Sequence, residues 1–230
     1  MGEIIEESVF FGAVISLVAY EFGLILKKKF KLAIFNPLLI AIICVIGALN
    51  VLGVDYETYY EGGKYVSYLL TPATVCLAVP LYQQLQLLKK NIKAVAAGII
   101  SGVLASLVSI LVFAKLFGLS HEQYVTLLPK SITTAIGMGV SEELGGIVTI
   151  TVAVIIITGV LGNMIADVVY KAAKIEEPVA KGLALGTSAH AIGTAKAMEL
   201  GQVEGAMSSL AIAVAGLLTV IAASFFAGFA

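Results

Sequence analysis

Charged residues are scarce in this sequence, and arginine and tryptophan are missing altogether. Only 13% of its 230 residues are charged and 60% are hydrophobic, whereas an ordinary soluble domain has roughly 25% charged residues. Mean hydropathy is +1.03. Apolar runs of about 20 residues, the length a helix needs to cross about 30 Å of hydrocarbon, recur along the chain. These features predict a multi-pass, all-α membrane protein embedded in a lipid bilayer.

Several patterns that would indicate other classes of protein are missing. The short alternating segments of a membrane barrel are not found. The lysines are dispersed among short loops and the net charge is -1, so we expect no nucleic-acid partner. Cys44 and Cys76 lie in apolar runs without metal-ligand spacing, which favours packing over a disulfide or a metal site. No HExxH, Walker loop or flanked GxSxG occurs, so neither an enzyme nor a cofactor is predicted.

The apolar runs predict six spans and two interrupted segments in one domain over residues 1–230. A retained first span is favoured over a signal peptide, because the chain starts with the acidic MGEIIEE. Loops are short, which favours a single compact helical bundle. The predicted spans are 8–26, 32–52, 65–87, 94–117, 147–170 and 203–229, and the interrupted segments are 125–146 and 182–200.

Lysine placement predicts the orientation, because cytoplasmic loops are enriched in basic residues. The loop VDYETYYEGGKY, residues 54–65, is acidic and aromatic and is predicted to be external. With these assignments, 125–146 enters from outside and returns, and 182–200 does the same from inside, unless either crosses as a discontinuous helix. The cytoplasmic loops are indicated by Lys27, Lys28, Lys29, Lys31, Lys89, Lys90, Lys93, Lys171, Lys174 and Lys181.

The first interrupted segment contains LLPKSITTAIGMGVSEELGG, residues 127–146. Proline suits the opening of a helix, so Pro129 predicts a helix start with Ser131 as a nearby cap. A helix start at membrane depth favours anions, and Lys130 would add a full positive charge there. Alternatively, the lysine side chain reaches a membrane interface. Further residues of interest are the hydroxyls of Thr133 and Thr134, the breaks at Gly145 and Gly146, and Glu142, which relays protons or marks a loop surface.

The second interrupted segment is GLALGTSAHAIGTAKAMELG, residues 182–201. Thr187, His190 and Thr194 follow an i, i+3, i+7 spacing that places three polar groups on one helix face. Polar groups at membrane depth should face a wet interior or each other. The alternative for the histidine is a core residue bonded to a neighbouring helix. Gly186 and Gly193 predict breaks or close contacts.

A third interruption occurs in LLTPATVCLAVPLYQQ, residues 69–84, where Pro72 and Pro80 lie in an apolar segment near Thr74. Paired interruptions in separate parts of a hydrophobic chain point to a transporter's substrate site. Prolines also serve as simple kinks, and that alternative is left open. Asn163 and Asp167 are further candidates for lining this pathway. Alternatively, Asp167 lies at a membrane interface.

These segments resemble the LrgB/CidB family of bacterial membrane proteins over essentially the whole chain. The two longest matching blocks are PKSITTAIGMGVSEELGG at 129–146 and KGLALGTSAHAIGTAKAMELGQVEGAMSSLA at 181–211. Shorter ones are NPLLIA at 36–41, YEGG at 60–63 and LLTPATVCLAVPLYQQ at 69–84. Thr71 differs from the glycine expected before Pro-Ala-Thr, which leaves the local geometry open.

The resemblance implies two different functions. One is an antiholin-like partner of a small LrgA or CidA membrane protein that modulates murein hydrolase activity and cell lysis. The other is transport, because plant relatives move glycolate and glycerate, and bacterial pairs are linked to pyruvate. Paired broken segments favour a secondary transporter of small monocarboxylates or 2-hydroxy acids in the cytoplasmic membrane. The resemblance implies that it acts with an LrgA-like partner, because the plant relatives are similar to a fusion of both proteins. A homo-oligomer is left open.

In this interpretation, the carboxylate of a small organic acid binds at the first interrupted segment and its hydroxyl or oxo group at the second. His190, with an ordinary pKa of about 6.5, or Glu142 would carry a coupled proton. Lys130, Ser131 and Thr133 are assigned to the carboxylate, and Thr187, Ser188 and His190 to the other group. Thr134 and Thr194 are further substrate-binding candidates, and Thr74 and Asn163 are weaker lining residues.

Overall fold

The computed structural model describes residues 10–30, 32 and 34–229, without the side chains of Leu70 and Thr74. Regular structure in this part of the chain is entirely helical, as the sequence predicts. The chain divides into two compact units, with the boundary between Cys76 and Leu77. The prediction of a single transmembrane domain stays a prediction.

The described residues of the first unit form four helices, α1 Phe11–Phe30, α2 Pro37–Leu52, α3 Tyr56–Ser67 and α4 Leu70–Cys76. The Asn36 side chain accepts hydrogen bonds from two backbone N–H groups of the first turn of α2, and Pro37 occupies the first helical position. Proline suits that position because its missing N–H would have no partner there. Helix α1 packs on α2 at Gly23, where a Cβ atom would lie 2.7 Å from the Pro37 carbonyl oxygen.

Residues 54–65, predicted to be an external loop, are mostly helical. Asp55 is the N-cap of α3, and its carboxylate accepts a hydrogen bond of 2.7 Å from the Thr58 N–H. This bond lowers the pKa of the Asp55 carboxyl, because it stabilises the charged form. The predicted loop is therefore wrong, because aromatic and acidic residues suit an amphipathic helix as well as a loop. The external location stays a prediction.

The second unit contains eight helices in its described residues. Three of the predicted spans, 94–117, 147–170 and 203–229, are confirmed by α7, α10 and α12, with boundary shifts of at most two residues. The helices are α5 Ala78–Gln83, α6 Leu85–Lys90, α7 Ile92–Phe117, α8 His121–Leu127, α9 Thr134–Glu143, α10 Val148–Ala172, α11 Pro178–Leu200 and α12 Gln202–Ala227.

The predicted span 65–87 is not one continuous helix. It is divided among the end of α3 and the short helices α4, α5 and α6. Pro72 and Pro80 are each the third residue of a short helix. In a first turn the backbone N–H has no intrahelical partner, so proline leaves no bond unmade. Both prolines thus follow interruptions, as predicted.

Long apolar helices in the described part of the chain have the length and composition of membrane spans. Three of them are continuous, Ile92–Phe117, Val148–Ala172 and Gln202–Ala227, and the interrupted stretch Tyr56–Gln83 has comparable length and composition. Helix α12 buries small residues such as Ala206, Ala211 and Ala215 and exposes Leu217 and Phe225. Small residues let helices approach closely in lipid, where the hydrophobic effect between helices is absent. The fold is therefore that of a helical membrane bundle.

Candidate functional site

The first interrupted segment folds as a hairpin, which we call the first hairpin: α8, the turn 128–133 and α9. At its entry, the Tyr124 hydroxyl donates to the Phe226 carbonyl near the end of α12. Farther along, Ile136 lies against Gly216, ten residues back along α12. At its exit, a Cβ on Gly146 would lie 3.0 Å from the Thr126 backbone. The chain therefore enters from one end of α12, turns, and returns to the same end.

Hydrogen bonds of side-chain hydroxyl groups stabilise the base of the first hairpin. The Thr126 hydroxyl accepts a bond of 2.8 Å from the Ile147 N–H, and the Thr151 hydroxyl lies 2.9 Å from the Thr126 carbonyl oxygen. Gly145 takes a positive φ of 78° between α9 and α10, as expected of the predicted break. The hydrogen bonds satisfy backbone groups where the chain leaves helical geometry.

The predicted helix start at Pro129 is wrong. Pro129 lies in the turn after α8, and its carbonyl accepts a bond of 3.3 Å from the Ile132 N–H. Helix α9 begins at Thr134, with Thr133 as an N-cap that makes no side-chain capping bond. Proline ends a preceding helix as readily as it opens a following one, and here it ends one.

The second interrupted segment is also a hairpin, which we call the second hairpin: the two halves of α11, which meet at His190. In the first half, Gly182 contacts Glu204 and Met207, and Gly186 contacts Ser208 and Ala211, so this half runs parallel to α12. In the second half, the Thr194 hydroxyl lies 2.6 Å from the Ser208 hydroxyl and Gly205 contacts Met198, so the direction is antiparallel. The chain therefore reverses at His190 instead of crossing.

The reversal occurs at His190, which has φ 42° and ψ -135°. Residues other than glycine rarely adopt this backbone conformation. His190 is only 3% exposed, and its Nε2 donates to the Ile155 carbonyl at 2.9 Å. The Thr194 hydroxyl donates to the His190 carbonyl, and the Asn163 amide donates to that of Ile192. A Cβ on Gly193 would lie 2.5 Å from the Leu185 carbonyl oxygen, so glycine permits the close return.

Replacing His190 tests whether its backbone is strained. His190→Ala should unfold more readily than His190→Gly by about 1–3 kcal/mol, because both lose the imidazole and only glycine relieves the conformation. The midpoint of unfolding in a sodium dodecyl sulfate titration measures this difference. Ala191→Gly is the matched control in the helix beside it and should instead lose about 0.5–1 kcal/mol. Equal midpoints for the two His190 variants would show that the backbone relaxes there.

The two hairpins meet α7 at adjacent turns. A Cβ on Gly102 would lie 2.7 Å from the Thr187 hydroxyl oxygen. Four residues farther along α7, the Ser106 and Ser131 hydroxyls are hydrogen bonded at 3.0 Å. Four residues correspond to about 6 Å of helix. The tip of the first hairpin and the end of the first half of α11 therefore lie close together, near the middle of α7.

A cavity of about 750 Å³ lies between α7, the first hairpin and the first half of α11. It extends from Asn91 and Glu177, where two of these helices begin, to the level of Ser109. Its polar lining residues include Lys130, Ser131, Thr187, Ser188, Ser101, Ser106 and Ser109. Four of the residues predicted for substrate binding, Lys130, Ser131, Thr187 and Ser188, are thus brought to one cavity.

Lys130 supplies the positive charge of this cavity. Its ammonium donates to the Ser131 hydroxyl at 2.9 Å, and no carboxylate of the described residues lies within 4.0 Å of it. Glu177 lines the opposite end of the cavity. An ammonium at membrane depth is costly without a counter-charge, so this end of the cavity favours an anion.

The other predicted site residues lie outside this cavity. Their roles in binding or proton transfer stay predictions that the cavity does not support. Gly186 lies within a regular half-helix and serves close packing, so the break predicted there is wrong. The residues outside the cavity are Thr133, Thr134, His190, Thr194 and Asn163, as well as the exposed Glu142; the side chain of Thr74 lies outside the described residues.

Helix α7, predicted to be a plain span, also contributes to the cavity. One face of this helix carries Gly98, Ser101, Gly102, Ala105 and Ser109, all of which line the cavity. Their spacing of three to four residues places small side chains on one side of a helix. The missed signal was thus a helical period of glycine and serine inside an otherwise strongly apolar span.

Apolar spans together with two returning hairpins define a multi-pass membrane protein with a cavity that is lined in part by polar side chains. The chain belongs to the LrgB-like family, whose model matches residues 16–229. It is 39% identical over 221 residues to the protein named "Antiholin-like protein LrgB" from Bacillus mycoides strain KBAB4, with 96% of each chain covered. Relatives with the same name, identity and coverage occur in Bacillus cereus strain B4264 and Bacillus anthracis strain CDC 684. No solved structure matches this chain.

Proposed function

We propose that this chain is a secondary transporter of small monocarboxylates or 2-hydroxy acids, such as glycolate, glycerate or pyruvate, in the cytoplasmic membrane. The observation that carries the proposal is the ammonium of Lys130, which lies in the cavity without a carboxylate partner among the described residues. Broken helices that meet near the middle of a membrane protein are typical of transporter sites. A cavity of about 750 Å³ falls in the usual range for small-molecule sites.

The lining residues suit a small acid with a second polar group. The Lys130 ammonium and the Ser131 hydroxyl supply hydrogen-bond donors to a carboxylate. The Thr187 hydroxyl already donates to the Leu183 carbonyl at 2.8 Å and the Ser188 hydroxyl to that of Ala184 at 2.6 Å. Their oxygens retain acceptor capacity, which suits the hydroxyl of a 2-hydroxy acid.

The direct test is uptake of labelled glycolate, glycerate and pyruvate into proteoliposomes that contain the purified full chain. We expect saturable uptake and counterflow with at least one of these acids, because a carrier binds its substrate before moving it. Protein-free liposomes are the control. Flux without saturation or counterflow would indicate a channel, and no flux above the control would refute transport by the chain alone.

A second candidate is an antiholin-like regulator of murein hydrolase activity and cell lysis, favoured by the names of the relatives. In this function the chain would act with a small LrgA-like membrane protein. Deletion should then change autolysis even when no organic acid is available, and proteoliposomes should show no saturable uptake. The two candidates therefore predict opposite results in the same uptake measurement.

A further inference from the structure

A second, basic cavity lies apart from the cavity that contains Lys130, at the turn between α10 and α11. It has a volume of about 390 Å³ and is lined by Lys171, Lys174 and Lys181 as well as Asp167 and Glu176. Asp167 and Lys171 lie in the last two turns of the 25-residue helix α10, Lys174 and Glu176 follow it, and Lys181 lies in the first turn of α11. A helix of this length is long enough to cross the hydrocarbon core and reach the headgroup region. The basic cavity is therefore expected at a membrane surface.

The positive charge of the basic cavity is incompletely neutralised. The Asp167 carboxylate accepts a bond of 2.8 Å from the Lys196 ammonium and is thus already paired. Among the described residues, no carboxylate lies within 4.0 Å of the ammonium groups of Lys171, Lys174 or Lys181. Like charges that share a cavity repel one another, and a bound anion would relieve the repulsion.

One of these lysines is held in place by an aromatic ring. The Lys181 ammonium lies 6.0 Å from the centre of the Tyr170 ring, within the range of a cation–π contact. The Tyr170 hydroxyl in turn donates to the Lys181 carbonyl at 2.8 Å. The ring is buried, so it orients the lysine at the wall of the basic cavity instead of leaving it free in solvent.

A second lysine lies in backbone geometry that glycine would adopt without strain. Lys174 has φ 53° directly after the end of α10, and the following residue, Ile175, donates its N–H to the Tyr170 carbonyl at 2.8 Å. Such helix ends usually place glycine in the left-handed conformation. A lysine at this position costs stability, and an anion that binds its ammonium would offset the cost.

We propose that the basic cavity binds a phosphate-bearing anion, namely the headgroup of an anionic phospholipid. Basic pockets between helix ends at the cytoplasmic surface suit such headgroups. The apolar side chains of Ile175 and Leu200 also line the cavity and suit the part of the lipid next to the phosphate. The proposal is independent of the transport of organic acids.

The test compares the full chain in nanodiscs of phosphatidylcholine with and without phosphatidylglycerol. Native mass spectrometry counts the bound phosphatidylglycerol, and circular dichroism gives the unfolding temperature. We expect Lys174→Gly to bind this lipid about fivefold more weakly, as the loss of one lysine at a membrane surface implies. In phosphatidylcholine alone the same variant should unfold at the same or a higher temperature, because glycine relieves the positive φ.

Lys115→Gln is the matched control, since it removes an exposed lysine in the last turn of α7, outside the basic cavity. It should keep wild-type affinity for phosphatidylglycerol. Unchanged binding by Lys174→Gly would overturn the proposal. Stabilisation by glycerol phosphate or inorganic phosphate in phosphatidylcholine discs, without binding of phosphatidylglycerol, would overturn the lipid assignment and identify a soluble phosphate as the ligand.

Discussion

Lys130→Met is expected to reduce the uptake of small organic acids into proteoliposomes by about 10- to 150-fold. This range corresponds to the loss of a hydrogen bond to a charged group, about 1.5–3 kcal/mol. Methionine keeps most of the length of the side chain and removes the ammonium. Initial rates over a range of substrate concentrations measure the effect, and a rise in KM would indicate that the lysine binds substrate.

The stability of Lys130→Met distinguishes substrate binding by Lys130 from a purely structural role. A half-buried ammonium without a carboxylate partner contributes little to folding, so Lys130→Met should unfold at the same detergent concentration as wild type or a higher one. Lys115→Met removes an exposed lysine outside the cavity and should keep full uptake. If Lys130→Met also keeps full uptake, its side chain only reaches toward an interface, which is the alternative that the sequence left open.

Gly186→Ala is expected to destabilise the protein by about 1–3 kcal/mol, the usual cost of overpacking. A Cβ at this position would lie 2.5 Å from the Ser208 carbonyl oxygen and 2.6 Å from the Ala211 Cβ. Because the nearest atom is backbone, a rotamer change cannot relieve the clash, and the first half of α11 would have to move away from α12. The unfolding midpoint in a sodium dodecyl sulfate titration measures the loss.

Gly139→Ala is the control for this substitution, because a Cβ at Gly139 has no neighbour within 4 Å. Alanine is favoured over glycine in a helix, so this variant should be equally stable or gain up to about 1 kcal/mol. If Gly186→Ala unfolds at the same midpoint as wild type, the packing between α11 and α12 is looser than the distances indicate. Reduced uptake by Gly186→Ala would also show that the packing of α11 against α12 affects transport through the cavity.

The transport proposal depends on how the two hairpins meet. The first hairpin reaches α7 at Ser106 through Ser131, and the first half of α11 reaches it at Gly102 through Thr187. The hairpins enter from opposite ends of α12, so their polar groups converge within the bundle. Irregular backbone at membrane depth is tolerated where it is buried in protein or lines a cavity, and both conditions are met here.

The positions of prolines and glycines within apolar runs predicted where the interrupted segments lie, but they did not predict the geometry of those segments. Pro129 and the glycines at 145 and 146 marked the first hairpin, although the proline ends one helix instead of opening the next. In the second hairpin the break was expected at glycines, and it occurs at His190. Nothing in the local sequence places the break at His190 instead of a glycine, since the side chain contacts Ile155 and the chain returns closely at Gly193, both of which are tertiary features.

By itself, the sequence determined that this chain is a helical membrane protein with two interrupted segments, since hydropathy and run length depend only on neighbouring residues. It also identified Lys130, Ser131, Thr187 and Ser188 as polar groups at membrane depth. Only the tertiary structure decided that these four line one cavity while His190 and Thr194 face neighbouring helices. That choice depends on contacts between residues far apart in the chain, such as Ser106 with Ser131, and no local period encodes such contacts.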